Sequence, residues 1–595
     1  MKQRRTTCVL LVCIATTAAL VAGCAPSVTT SPPAEVTTSV SKAAPTLLTS
    51  QPETPQYGGT LTLANVLAMN VFDPVAQGQM MGLPGQLILE QYLGEDWGKG
   101  AAGSGEVDWN MNRNPGPDTS AGVLAESWKM PELGTIIFKV RRGVRWAVAS
   151  NTDASRFMNG REVTADDWVA SFSYMMQGPR SPINGVPQIA STATMEKTGQ
   201  WEVTLRTPVD PLLGWYRLAW GYYFHYLLPP EVIKKYGDMR GWQTVVGTGP
   251  FVLSDFVAGS SATLARNPNY WGRDPVGPGQ GNQLPYLDGV KILAIPDLSA
   301  TMAAYRTAKI DQGIGVAAED ARSLLKSAPD LKYRTYVNAF PNVIAMRTDK
   351  AELPFKDRRV RQALMMATDF AAIKNDLYGG EAEILAFPTS SDIKSVYVPL
   401  ENMPESAQVL YRHSPGGAKE LLAEAGLRDG VKARMVVTNN PSFVDLASAC
   451  QAMWATAGID IEIQTKESGV FNSIVWSRAY EDMLLTPVLS GGAYPGCLNL
   501  PSFRGGQSYV NDPVIEAASL EIQKHVIIDM PEADRPYREL MAYIVEQSYY
   551  IPLPTPLSYT FWWPWLKNYH GEAPTRLAMY YWIDRDLKEQ MTGRR

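Results

Sequence analysis

Residues that could carry out catalysis or bind a metal are few and scattered in this sequence. The four histidines, His225, His413, His525 and His570, are too far apart in the chain to suggest a histidine-rich metal site. The sequence contains no G-x-S-x-G nucleophile elbow, no G-x-x-x-x-G-K-[ST] phosphate loop and no H-E-x-x-H pair. We therefore expect no enzyme activity, no catalytic residues, no metal site and no cofactor.

The composition is that of a folded, non-basic protein. Of 595 residues, 45% are apolar and 19% charged, which excludes a chain too polar to form a core. The net charge is −5, and no basic run occurs beyond the N-terminus, so nucleic acid is not an expected partner.

The N-terminus predicts export and a lipid anchor. Lys2, Arg4 and Arg5 precede an apolar stretch at 8–22, which has the length of a signal peptide and is short for a membrane span. It ends in Leu-Val-Ala-Gly-Cys24, which resembles the lipobox of bacterial lipoproteins, in which the cysteine is diacylated. Residues 1–23 are thus a predicted lipoprotein signal peptide and Cys24 the lipidation site; the alternative is an ordinary secretory signal.

Residues 24–56 are rich in Ser, Thr, Pro and Ala, which is typical of a disordered tether. The predicted location is the outer face of the cytoplasmic membrane, either a periplasm or a cell surface. Cys450 and Cys497 are the cysteines left in the body of the chain, and the sequence leaves open whether they pair.

The body alternates between strand and helix patterns. Strand alternation is seen near 57–63, 135–146, 203–207 and 290–295, and a capping box at Thr164–Asp167 starts a helix. Lys356–Lys374 is predicted to be one amphipathic helix. Strands at 431–438 and 459–465 flank a helix at 444–457, an order that predicts a parallel pair.

Several segments together resemble a known family. They are Tyr57-Gly58-Gly59-Thr60-Leu61, Leu124–Trp128, Phe138–Val144, Asn159-Gly160 with Thr164–Trp168, Val246–Phe251, Arg266–Trp271, Pro285–Asp288, Pro354–Leu364 and Ala418–Gly426. Their types and order resemble the extracellular solute-binding proteins, family 5, the peptide/nickel-type substrate-binding lipoproteins of ABC transporters.

Some of these motifs can also be explained by local backbone structure or by contacts of a single side chain. We expect Gly247 and Gly249 to adopt positive φ where a strand enters the sheet, and Asp357 to cap the helix that follows it. Arg361 is expected to extend along, or pair at, the lobe surface.

The resemblance implies an α/β fold of two lobes, the type II periplasmic-binding-protein-like fold, joined by two hinge crossings. Its domains would be 57–300 as lobe I with an extra subdomain at about 90–205, 301–540 as lobe II, and 541–595 as a return to lobe I. The crossings are expected near 295–310 and 530–545.

The implied function is capture of peptides or similar small solutes between the lobes and delivery to ABC permease subunits. Hinge closure on the ligand would be the whole mechanism, and the protein is expected to be a monomer. Alternatives are the same fold with an oligosaccharide or another amine-free solute, an exported hydrolase, and a non-transport interaction or sensor protein.

The resemblance also implies ligand-binding residues. From the loop after the first strand they are Asn65, Asn70 and Phe72; elsewhere they are Tyr222, Arg478, Ser490, Gly491, Gly492 and Tyr494. Arg478 would hold a ligand carboxylate. The aromatic runs at 215–224 and 561–565 are read as core packing first and as ligand-stacking surfaces second.

One departure from the family pattern concerns ligand charge. Ala493 stands where relatives carry the aspartate that binds a ligand ammonium. Either Glu481 or Asp482 takes over that role, or the ligand has no such amine.

Overall fold

The structure is a computed structural model and describes most of the chain from residue 53 onward. The described ranges are 53–65, 70–78, 81–99, 119–148, 152–185, 187–209, 214–220, 225–337, 341–387, 389–391, 393–487, 506–526, 528–572 and 575–595. Pro52–Arg595 forms one unit, and the predicted signal peptide and most of the predicted tether lie outside the described residues.

Strands and helices alternate along this unit. The strands are β1 (Thr60–Asn65), β2 (Leu93–Glu95), β3 (Ser120–Gly122), β4 (Ala125–Glu132), β5 (Thr135–Val140), β6 (Thr194–Gly199), β7 (Glu202–Arg206), β8 (Phe251–Val257), β9 (Ser261–Arg266), β10 (Gly289–Ala294), β11 (Gln312–Ala317), β12 (Lys332–Val337), β13 (Asn342–Met346), β14 (Ala382–Glu383), β15 (Val431–Thr438), β16 (Ile459–Lys466), β17 (Met483–Pro487), β18 (Tyr550–Pro552), β19 (Thr555–Trp562), β20 (Leu566–Lys567) and β21 (Trp582–Ile583). The α-helices are Pro74–Gln77, Leu83–Ile88, Asp153–Met158, Ala165–Gln177, Pro187–Ala190, Pro230–Tyr236, Leu298–Arg306, Ala318–Ser327, Arg358–Ala367, Phe370–Ala372, Glu405–Gln408, Pro415–Glu424, Pro441–Ala455, Ser468–Ser477, Pro513–His525, Met530–Gln547 and Arg585–Thr592.

An eight-stranded sheet forms the core of the first lobe. Its order is β12-β19-β11-β1-β10-β9-β8, and β14 pairs with β19. The central strand β1 runs parallel to both β10 and β11, and its inward side chains Leu61 and Leu63 are buried. On the other face of β1, Thr62 and Ala64 are half-buried, in keeping with the cover that parallel strands usually have on both faces.

A five-stranded sheet forms the core of the second lobe, in the order β16-β15-β17-β13-β18. Here β15 is parallel to β16 and β17, whereas β13 is antiparallel to β17 and β18. The helix Pro441–Ala455 connects β15 to β16, so the predicted strand–helix–strand order with a parallel pair is confirmed.

Smaller sheets extend the first lobe. A four-stranded antiparallel sheet has the order β4-β5-β7-β6, and β2 pairs with β3 beside it. These strands lie within or next to the range predicted for the extra subdomain, whose boundaries stay a prediction. The helix Ala165–Gln177 begins at Thr164 with the predicted capping box, since the Asp167 carboxylate accepts the Thr164 backbone N–H at 2.7 Å.

The predicted single helix over Lys356–Lys374 is wrong. The helix ends at Ala367, Thr368 has extended backbone, and a new helical segment starts at Phe370. Asp369 is the reason for the restart, because its carboxylate caps the new segment by accepting the Ala372 N–H at 2.8 Å. Asp357 caps the first helix as expected, accepting the Arg359 N–H at 2.9 Å.

The chain changes sheets later than predicted. Residues 301–337 were expected in lobe II, yet β11 and β12 pair with β19 in the eight-stranded sheet. Apart from the two-residue strand β14, which lies between β13 and β15 in the chain but pairs with β19, the passage to the second sheet lies between β12 and β13 and the return lies between β18 and β19. The predicted crossings near 295–310 and 530–545 therefore lie earlier in the chain than the observed changes of sheet. The prediction was too early because β11 and β12 contain none of the motifs on which the family resemblance rests.

Two local expectations are also corrected. Gly247 and Gly249 do not have positive φ; a Cβ at either position would meet the Ile88 carbonyl oxygen, at 2.0 Å and 2.7 Å. Arg361 is buried rather than at the lobe surface, and its guanidinium donates to the carbonyl oxygens of Phe355, Lys356 and Gln547 at 2.9–3.0 Å.

Candidate functional site

The two chain segments that connect the sheets join each sheet at one end of its strands. We name this end of each sheet the connection edge. In the second lobe it holds the start of β13 and the end of β18, and Asn342 of β13 pairs with Pro487, the last residue of β17. Since β15 is parallel to β17, the carboxyl end of β15 lies at the same edge.

The second sheet changes winding direction at this edge. Along the chain, β15 is followed by β16 on one side of it and then by β17 on the other. In open α/β sheets, ligands bind outside the carboxyl ends of the strands where the order reverses. The reversal here lies between Thr438 of β15 and Pro487 of β17.

The first sheet has the same arrangement. Its connection edge holds the end of β12 and the start of β19, with Val337 opposite Leu557. Because β11 and β12 are both antiparallel to β19, and β1 is parallel to β11, the carboxyl ends of all three face this edge. The chain goes from β10 on one side of β1 to β11 on the other, so the order reverses at Asn65, the last residue of β1.

Asn65, at this switch point, is followed in the chain by the segment that contains Asn70 and Phe72. Asn70 is exposed, and its carbonyl oxygen accepts a hydrogen bond from Gln77 Nε2 at 3.0 Å. Only the backbone of Asn65 is described. Phe72 differs from the expectation of a ligand-facing ring, because it is 1% exposed and packs edge-on against Phe256, with 5.3 Å between ring centroids.

Asp73, which the sequence analysis did not single out, fixes this loop. Its carboxylate accepts the backbone N–H groups of Val75 and Ala76, and also the Tyr174 hydroxyl at 2.9 Å and the Met239 N–H at 3.0 Å. An Asp directly before Pro74 is the sequence signal for such a cap. Four donors on one buried carboxylate hold the loop to the first lobe.

Arg478 lies away from the switch point. It ends the helix Ser468–Ser477 in the left-handed region (φ 54°) and precedes β17, so it stands at the opposite end of that strand from Pro487. Its guanidinium lies 4.9 Å from the ring centroid of Tyr509, whose hydroxyl donates to the Arg478 carbonyl oxygen at 2.8 Å. This position gives the predicted carboxylate-binding role no further support.

The two acids considered as replacements at Ala493 are already engaged. Asp482 is buried and accepts from the backbone and Nε of Arg434 at 2.9 and 3.0 Å, and Glu481 pairs with Lys350 at 3.0 Å. A hydrogen bond from the Lys350 ammonium lowers the pKa of Glu481. Burial tends to raise the pKa of Asp482, but the hydrogen bonds and charge of Arg434 together lower it below its usual value. Both also precede β17, at the edge away from the switch point.

The remaining predicted site residues lie outside the described residues: Tyr222, Ser490, Gly491, Gly492 and Tyr494, together with Ala493, Cys497 and the lipidation site Cys24. The segment that contains Ser490 follows directly on Pro487, the strand end at the switch point of the second sheet.

Those members of the aromatic runs whose side chains are described belong to the core, as predicted first. Trp215, Trp220, Phe561 and Trp565 are buried, and Trp563 stacks on Trp565 with 4.8 Å between centroids. Tyr222, Tyr223 and Phe224 lie outside the described residues. Cys450 is a buried free thiol, and burial raises its pKa to about 12.

Within the described ranges, no group of three or more His, Cys, Asp or Glu side chains is arranged to hold a metal ion. None of the helices in this part of the chain combines the length and apolar character needed to cross a membrane.

Comparison with known proteins agrees with this geometry. The family model for bacterial extracellular solute-binding proteins, family 5 Middle, matches residues 120–495, more than half of the chain. A Brucella ovis protein named as an ABC transporter peptide-binding protein is 27% identical over 394 residues, covering 64% of this chain and 67% of its own length.

Two further relatives extend the comparison. Heme-binding protein A of Haemophilus influenzae is 25% identical over 508 residues, covering 78% of this chain and 84% of its own. The solved periplasmic binding protein DppA of Helicobacter pylori, in complex with peptide STSA, has a TM-score of 0.65 at 20% identity, covering 89% of this chain and 99% of that one. The chain belongs to the bacterial extracellular solute-binding proteins of family 5.

Proposed function

We propose that this protein is the extracytoplasmic solute receptor of an ABC importer, which holds a peptide or similar small solute between its lobes and delivers it to a membrane permease. The observation that carries the proposal is that both sheets have their switch points at the edges joined by the two connections. Members of this family bind solutes rather than transform them.

The mechanism is closure about the two connections. A solute that contacts the carboxyl ends of β1 and β15 together does so only when the lobes approach, so binding shifts the population toward the closed form. The permease then distinguishes the closed from the open receptor. No bond is made or broken, and specificity comes from the residues at the two switch points.

On this proposal the first lobe contributes Asn65 and Asn70, and the second lobe contributes Ser490, Gly491, Gly492 and Tyr494. Tyr222 and Arg478 are secondary candidates. Peptide-binding relatives hold the ligand main chain as an added strand, which places demands on backbone groups more than on side chains.

The experiment combines a ligand panel with a measure of shape. Free peptides, neutral oligosaccharides and metal chelates are added to the purified full-length chain, and unfolding is followed by thermal shift. A ligand present at about 100 times its Kd stabilises the folded state by about 2.7 kcal/mol. A stabilising ligand must also reduce the radius of gyration in small-angle scattering; stabilisation without compaction contradicts closure.

Ligand charge is a second question, raised by Ala493. A matched pair consists of one peptide and its Nα-acetylated form. If the natural ligand is a peptide bound through its ammonium, acetylation weakens binding by roughly tenfold or more, as the loss of a charge-assisted hydrogen bond predicts. If the ligand is amine-free, such as an oligosaccharide, neither form binds and Ala493→Asp does not create peptide affinity.

We further propose that Cys24 carries the lipid anchor and that 24–56 tethers the monomeric body to the membrane. Cys24→Ser should move the protein from the membrane fraction to the soluble exported fraction, and Cys450→Ser is the matched control. Retention of the Cys24→Ser chain in the membrane would contradict the anchor while leaving the receptor function open.

A further inference from the structure

A cavity lies inside the first lobe, apart from the connection edges. Its volume is about 280 Å³, and every residue that lines it comes from 86–284 or 576–580. The walls combine the β2–β3 ribbon, the loop after β9 and the segment near Tyr580. Because none of these elements belongs to the second lobe, lobe closure does not form this cavity.

One wall is aromatic. Trp97 and Tyr580 stack face to face, with 4.5 Å between centroids and 2° between planes, and both line the cavity. Trp271 lines it as well. Gly98, Arg273 and Pro275 are exposed at its rim, so the cavity has an entrance from solvent. Flat aromatic surfaces bind planar apolar groups and attract organic cations.

The base of the cavity holds a carboxyl group with neutral partners. Glu90 is 7% exposed, and its oxygens accept from the Tyr270 hydroxyl at 3.1 Å and from Trp271 Nε1 at 3.0 Å. Among the described residues no cation lies within ion-pair distance of Glu90. Burial raises the pKa of Glu90 to about 7, although the Trp271 hydrogen bond opposes this.

The three guanidinium groups that line the cavity are committed elsewhere. Arg273, at the rim, donates to the Gly281 carbonyl oxygen at 2.9 Å. Arg141 donates to the carbonyl oxygens of Gly122, Val123 and Ala125 and lies over the Trp271 ring at 4.4 Å. Arg576 is bound by both oxygens of Glu95 and donates to Gln91 Oε1 at 2.7 Å. Glu95 is thereby neutralised, whereas Glu90 has no counter-charge in contact among the described residues.

A buried donor at the same wall is also unsatisfied. Gln91 Nε2 is buried and has no acceptor within hydrogen-bond distance in the described part of the chain, while its Oε1 is taken by Arg576. Buried donors normally have a partner, so this wall lacks an acceptor.

We propose that this first-lobe cavity is a second ligand site, which takes a compact organic cation: a protonated amine on an aromatic body that also carries a hydroxyl. The ammonium pairs with Glu90, the ring packs against the Trp97–Tyr580 stack, and the hydroxyl oxygen accepts from Gln91. The site does not depend on the transport function proposed above.

The test uses three probes that share a phenyl ring and a hydroxyl and differ in charge. They are 2-amino-1-phenylethanol (cation), 1-phenyl-1,2-ethanediol (neutral) and mandelate (anion), each titrated into the purified full-length chain by calorimetry. We expect the cation to bind roughly tenfold or more tightly than the diol, since a charge-assisted hydrogen bond is replaced by a neutral one, and mandelate not to bind. Equal affinities for cation and diol, or no binding of the cation, overturn the proposal.

Two variants locate the binding. Glu90→Gln should weaken binding of the cation roughly tenfold and leave the affinity for the diol within about twofold. Glu572→Gln is its matched control, because Glu572 is also a buried carboxyl but does not line the cavity. Ala121→Leu fills the cavity and should abolish binding of the cation even if Glu90→Gln does not fold. Cation binding that survives Ala121→Leu places the ligand elsewhere and overturns the assignment.

Discussion

The Tyr559 hydroxyl donates a hydrogen bond to Glu381 Oε2 at 2.6 Å, across the junction of the two lobes. Tyr559 belongs to β19 of the first sheet. Glu381 lies just before β14, in the stretch of chain between β13 and β15, which are strands of the second sheet. Arg322 of the first lobe donates to the other oxygen of Glu381 at 2.5 Å, and β14 pairs with the start of β19. Non-covalent contacts thus brace the lobes beside the two covalent connections.

Removal of this brace should loosen the junction. Glu381→Ala deletes both hydrogen bonds, and because Arg322 is half exposed we expect a loss of only about 1 kcal/mol in the free energy of unfolding. The ligand-free chain should show a broader distribution of interlobe distances, measured between spin labels on the two lobes. Glu405→Ala is the control, because its pair with Arg412 lies within the second lobe. An unchanged distribution for Glu381→Ala would show that the covalent connections alone set the junction.

The sequence specified elements whose determinants are local. The β15–helix–β16 unit follows from its alternating side chains, and the helix starts after Asp357 and Thr164 follow from capping. The change of sheet after Val337 was missed because it is fixed by pairing with β19, more than two hundred residues later in the chain. Glu90 and Asp73 were missed for a similar reason, since the partners that define them, Tyr270 and Tyr174, are distant in sequence.

Burial of Glu572 predicts a pH-dependent stability. Burial raises its pKa from the ordinary 4.5 to about 7, so between these values the folded chain retains a proton that the unfolded chain releases. The free energy of unfolding should therefore fall as pH rises from about 4.5 to 7 and then level off, by at most about 3 kcal/mol for this one group. Urea unfolding at a series of pH values measures it.

The Glu572→Gln variant isolates this contribution. Other groups titrate in the same range, including His225, whose pKa is lowered by burial to about 4. Their contributions to the free energy of unfolding cancel when the variant is compared with the unmodified chain. The variant should lose less stability than the unmodified chain between pH 5 and 8. Exposed Glu132→Gln is the control, and parallel profiles for all three proteins would show that Glu572 ionises normally.

Arg361 should be a stability residue and not a ligand residue. It is 3% exposed, binds three backbone carbonyl oxygens, and lies over the Tyr549 ring at 4.7 Å; burial lowers its pKa to about 10. Arg361→Met keeps much of the volume but leaves those carbonyl groups without a donor, which costs about 3 kcal/mol. Exposed Arg358→Met should stay within about 0.5 kcal/mol of the unmodified chain. Solute affinity should be unchanged in both, and a selective loss of affinity in Arg361→Met would contradict a purely structural role.

Gly247 is required by a close approach of two backbone segments. A Cβ at this position would lie 2.0 Å from the Ile88 carbonyl oxygen, and the Gly249 N–H donates to that same oxygen at 2.9 Å. Gly247→Ala must push the helix Leu83–Ile88 away from β8, and we expect a loss of about 1–3 kcal/mol from this overpacking. Gly416→Ala is the matched control, because that glycine is helical with open space around it, and alanine should stabilise it by about 0.5–1 kcal/mol. Thermal unfolding of the two variants should therefore shift in opposite directions; if Gly247→Ala unfolds no earlier than the unmodified chain, close approach is not what requires glycine there.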